Sequence, residues 1–101
     1  MSETLINWPD ADPIDQKTLE KVSILLSGQG HLLRLIFSPS KAQLADTAEN
    51  IKKHASYLSS GEYLLVLLAL DLWDGSGEVL FKDVFMELDY SYLKKAIDAF
   101  V

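Results

Sequence analysis

The chain has no cysteine, which removes disulfides, thiolate metal sites and thiol nucleophiles at once. Only five Gly and three Pro occur in 101 residues, and 49% of the residues are hydrophobic, which excludes the disordered and low-complexity classes. No apolar run approaches the roughly 20 residues of a membrane-spanning helix; the longest, Tyr63 to Leu70, is far shorter. Basic residues are scarce, nine Lys and Arg against 15 Asp and Glu. The formal net charge of −6 repels a phosphate backbone, so direct nucleic-acid binding is not expected. The opening "MSETLINWPDADP" has neither the basic region nor the apolar stretch of a secretory signal. Together with the missing cysteine, this leads us to expect a cytoplasmic protein.

Chemical motifs are equally sparse. The two histidines, His31 and His54, have no second ligand at helical metal spacing, and HExxH is absent. "GQG" at 28–30 lacks the Lys-Ser/Thr that completes a phosphate loop, and Gly75-Ser76-Gly77 lacks the spacing of a nucleophile elbow. The expectation is a chain that is not an enzyme and carries no cofactor.

What the sequence does have is helical patterning. Residues 1–13 read as an extended arm, kept out of helix by Pro9 and Pro13 and pinned to the domain by Trp8. A single helical domain over 14–101 follows. Asp12-Pro13 is a helix start, with Asp as N-cap and Pro at the first position. Leu19, Val22, Leu26, Gly30, Leu33 and Phe37 keep one helical phase, so 27–37 reads as a continuation of that helix or as a separate helix or strand; Gly28 and Gly30 favour a break.

The segment "SPSKAQLADTAENIKKHASYL" reads as a helix capped by Ser38, with Pro39 at its first position. Its inner stripe is Leu44, Ala48, Ile51, Ala55 and Leu58. Ser59 and Glu62 form a capping box opening a helix over about 62–73 that is apolar on nearly every face. Leu93, Ala96, Ile97 and Phe100 mark the inward face of a last helix. The fold class is therefore all-α, a compact bundle of four to five helices around the central helix at about 62–73.

"LDLWDGSGEVLFKDVF" interrupts the apolar pattern with acidic residues and glycine. Aligned on a calcium loop, Asp74 takes position 3, Ser76 position 5, Gly77 position 6, Glu78 position 7 and Asp83 position 12. The stretch resembles a degenerate EF-hand, and that resemblance implies calcium ligands at Asp74, Ser76, Glu78 and Asp83. Position 1, however, falls on Leu72, which has no ligand atom, and Asp71 stands one residue too early. "DGSG" is also ordinary turn chemistry, the reading we favour.

Charge is unevenly spread. Residues 17–54 carry a net +3, whereas Asp71, Asp74, Glu78, Asp83, Glu87 and Asp89 against Lys82 give −5 over 71–89. Phe81, Phe85 and Met86 lie among those carboxylates, an apolar centre with a charged rim. The expected function is a non-catalytic protein–protein interaction module: an adaptor, inhibitor or regulatory subunit. Its contact surface is expected at Asp74, Glu78, Asp83, Glu87, Phe81, Phe85 and Met86, facing a protein partner with a basic surface rather than a membrane. Two alternatives stand beside it. One is an acidic decoy that mimics nucleic acid on a nucleic-acid-binding protein, as small acidic helical proteins of phages and mobile elements do; the other is a calcium-responsive module. A DNA-binding helix–turn–helix at 79–100 is set aside because its would-be reading helix, "DYSYLKKAIDAF", has only Lys94 and Lys95 and the preceding segment is strongly acidic.

Overall fold

In the computed structural model the described residues are 6, 8–9, 11–79 and 90–100. Among them the protein is all-α, with five helices and no strand. Helix α1 spans Pro13–Leu25, α2 Gly30–Ile36, α3 Ala48–Ala55, α4 Ser60–Asp74 and α5 Tyr90–Phe100. The Cα radius of gyration, 12.7 Å, matches the ~13 Å of a compact chain of this length.

Most helix ends follow from local chemistry. Asp12 is extended and its carboxylate accepts the Asp15 N–H at 2.8 Å, with Pro13 filling the first helical position as expected. The chain then breaks at Leu26–Gln29, where Gly28 has φ +87°, a left-handed conformation that side chains disfavour. The continuous phase across 19–37 is therefore split into two helices rather than one. Thr18 sits inside α1 with its hydroxyl donating back to the Ile14 carbonyl at 3.0 Å, which satisfies it within the helix.

The segment after α2 corrects the sequence reading. Residues 38–47 are not helical, and α3 begins only at Ala48. The Ser38 hydroxyl does accept the Lys41 N–H at 3.2 Å, but the turn it caps goes no further. Instead the chain folds back: Phe37 and Leu44 form an isolated antiparallel bridge, the Ser38 N–H donates to Gln43, and the Ala45 N–H donates to Ile36. The working cap is Thr47, whose hydroxyl accepts the Asn50 N–H at 3.1 Å. Of the expected stripe, Ile51 and Ala55 are buried within α3, while Leu44 reaches the core from the loop.

Helix α4 is the centre of the bundle. Its start is a complete capping box in which Ser59 and Glu62 each satisfy the other's backbone N–H. Leu64, Leu65, Val66, Leu68, Ala69 and Leu70 are all buried, and α4 packs against each of the other four helices. A helix apolar on every face must be surrounded in this way. The core it organises holds apolar side chains only, among the described residues. Helix α5 lies chiefly on α1, burying Ala96; Ile97, expected inward, is 46% exposed. No helix among the described residues is long and apolar enough to cross a membrane.

The arm is held as expected. Trp8 is 4% exposed, and its indole Nε1–H donates to the Ser38 carbonyl at 2.8 Å. Its ring meets Phe37 and Trp73 edge-on at 5.6 and 5.5 Å, and those two rings meet each other at 5.4 Å. Three mutually T-shaped rings thus join the arm, the end of α2 and the last turn of α4.

Candidate functional site

The acidic loop after α4 is built from its backbone outward. Gly75 ends α4 in the left-handed conformation (φ +80°), its N–H donating to the Leu70 and Asp71 carbonyls at 3.2 Å each. The Asp74 carboxylate accepts the Ser76 N–H at 2.9 Å, closing a local turn. Gly77 is buried where the loop lies back on α4. A Cβ there would land on the Leu67 carbonyl oxygen and come within 3.0 Å of the Asp71 Cγ, so no other residue fits without moving backbone.

Asp71 fixes the return path. Its Oδ1 accepts the Glu78 N–H at 2.9 Å and its Oδ2 accepts the Val79 N–H at 3.0 Å. Both carboxylate oxygens are thus committed to loop backbone, in hydrogen bonds strengthened by the charge. The clamp holds Glu78 at φ +58°, the one non-glycine residue with positive φ among those described. This conformation costs an L-residue roughly 1–2 kcal/mol.

The clamped loop presents two carboxylates. Asp74 is exposed, and the Glu78 side chain is 82% exposed. Glu78 Oε1 stands 3.7 Å from Lys52 Nζ on α3, a surface ion pair of the kind that contributes ~0–1 kcal/mol. Ser76 is placed differently: its hydroxyl oxygen is closed off from solvent and has no hydrogen-bond partner among the described residues. It takes no part in the exposed acidic face.

Of the expected contact residues, Asp74 closes α4 and Glu78 stands four residues on in the loop that Asp71 holds, both exposed. Phe81, Asp83, Phe85, Met86 and Glu87 lie outside the described residues, so of the four calcium candidates Asp74, Ser76 and Glu78 are described and Asp83 is not. Among the described residues no group of three His, Asp or Glu side chains converges as metal ligands do. His54 is exposed, and His31 Nε2 lies 3.7 Å from Glu62 Oε2 at the start of α4. Sequence reasoning missed the role of Asp71, noticed only as a misplaced calcium ligand. The available signal was an Asp in the last helical turn followed by two glycines and a resumed apolar run.

One carboxyl elsewhere is perturbed. Asp46 is held below its ordinary 3.8, first by the Asn50 side-chain amide and then by the Thr47 N–H, at 3.1 and 2.7 Å. This carboxylate belongs to the start of α3, one residue before its cap, and has a structural explanation.

Comparison of the chain with protein-family models, with curated proteins and with solved structures finds no match.

Proposed function

We propose that this chain is a non-catalytic protein–protein interaction module that docks through the acidic loop following α4. The single observation behind this reading is that Asp74 and Glu78 are exposed at the end of α4 and on the loop hydrogen-bonded back to it. Asp71 holds two of its amides, and Gly77 is seated against α4. A surface ordered before it meets its partner loses less conformational entropy on binding. Paired carboxylates on such a surface favour a basic counterpart and speed its approach. Acidic and aromatic residues also follow at 81–87 in the sequence.

The test is affinity capture of the tagged full chain from its native lysate, with parallel low-salt, high-salt and EDTA washes. A specific protein lost in high salt and kept in EDTA supports the acidic interface. If that protein is itself a nucleic-acid binder and nucleic acid displaces it, the module is a decoy. Loss in EDTA alone replaces the reading with the calcium-responsive one, and capture of nothing specific overturns it.

A further inference from the structure

We propose that the cleft between α1 and α2 is a binding site for a small organic anion with an apolar body. The cleft measures about 490 Å³, within the ~300–1,000 Å³ usual for small-molecule sites. Leu26 and Leu33, both buried, form its floor. Ser23 and Ser27 line it from the α1 side, and His31 and Arg34 from α2. Arg34 is exposed and has no acidic partner among the described residues. Lys95 of α5 brings a second cation to the α1 wall, its Nζ 2.7 Å from Ser27 Oγ. The opposing carboxylate is Glu62, whose Oε2 lies 3.7 Å from His31 Nε2. A guanidinium fork matches the paired oxygens of a carboxylate or phosphate, and the leucine floor accepts an apolar body.

Gly30 supplies an independent observation. It is the first residue of α2 and does not share the positive φ, +87°, that the turn requires of Gly28. A Cβ at Gly30 would meet nothing within 4 Å. Neither the backbone nor crowding therefore demands glycine there, and a better helix former would hold α2 more firmly. What a side chain would do is occupy the cleft that Gly30 lines. A position that breaks the local helix rule with no structural return marks space kept for something else. The cleft lies at the Glu62 end of α4, whereas the acidic loop follows Asp74 at its other end. The two proposals therefore stand or fall separately.

An NMR titration of the full chain with β-naphthoate, β-naphthyl phosphate and β-naphthol tests this, the three sharing one apolar ring. At millimolar concentration or below, the anions should bind saturably and move the Ser27, Gly28, Gly30 and His31 amides. The tighter of the two tells a carboxylic acid from a phosphate ester as the ligand class. Uncharged β-naphthol should bind about tenfold more weakly or worse. Arg34→Gln should lose most of that preference for the anions and leave β-naphthol unchanged. Gly30→Leu should fill the cleft and weaken all three, with the helical circular dichroism retained. Equal affinity for the anions and β-naphthol would overturn the site, as would a preference undiminished in R34Q. Shifts confined to other residues, or no saturable binding at all, would overturn it too.

Discussion

Replacing Asp71 with alanine deletes the side chain that holds Glu78 and Val79, the far end of the acidic loop, to α4. Two charge-assisted hydrogen bonds are lost, to Glu78 N–H and Val79 N–H. Hydrogen bonds to charged groups contribute ~1.5–3 kcal/mol when buried. The Glu78 amide lies at an exposed position where water takes over, so its share falls to about 0.5–1 kcal/mol. The Val79 amide is half-buried and keeps about 1–2 kcal/mol. Relaxation of Glu78 from φ +58° returns part of the ~1–2 kcal/mol that conformation costs. The net expectation is a destabilisation of about 1–2 kcal/mol, a sizeable part of the ~5–15 kcal/mol that holds such a domain folded. Calorimetry should show a fall in Tm of roughly 5–15 °C. Urea unfolding should show a lower midpoint with an unchanged slope. Asp71→Asn retains one good acceptor and should lose about half as much. A midpoint for D71A within ~0.5 kcal/mol of the parent, the range of an ordinary surface substitution, would refute the clamp.

Two further perturbations probe the same physics elsewhere. Gly77→Ala places a methyl on the Leu67 carbonyl and should cost about 2 kcal/mol or more, because backbone must shift to accept it; an unchanged urea midpoint would mean the loop does not lie on α4. Asp46 has a lowered folded-state pKa, so its contribution is present above the ordinary 3.8 and is lost as the pH falls through the lowered value. The stability difference between the parent and Asp46→Asn should therefore hold steady from about pH 7 to 5 and close below 3.8; a difference that persists at pH 2 would show that the carboxylate is not stabilised by folding.

The parts of this fold legible in the sequence are those decided within one helical turn. Asp12-Pro13 and Ser59-Glu62 cap the helices they mark because every partner involved is at most three residues away. The uniform hydrophobicity of 63–70 likewise required a central helix, and α4 is central. Ser38-Pro39 shows where local chemistry misleads. The Ser38 hydroxyl makes the expected hydrogen bond, yet the Phe37–Leu44 bridge and the Ala45–Ile36 bond turn the chain back before a helix can propagate. Those partners follow no period, so no pattern in the segment announces them. The candidate loop divides in the same way. Its turn residues were evident, while the Asp71 clamp and the Trp8–Phe37–Trp73 cluster depend on which surfaces the packed helices bring together.

The central claim is that Asp74 and Glu78 form a preorganised docking surface, and a charge reversal measures it most directly. The Asp74→Lys/Glu78→Lys double variant keeps the Asp71 hydrogen bonds to Glu78 and Val79 and gives up the exposed Asp74–Ser76 turn bond, so its fold should be retained; circular dichroism and urea unfolding verify that first. Quantitative capture from the native lysate, parent against variant, then reads the interface. The account predicts that the partner retained by the parent is lost from the folded variant by tenfold or more, ~1.4 kcal/mol at least. Equal capture by both chains would contradict it, and would move the contact surface away from this loop.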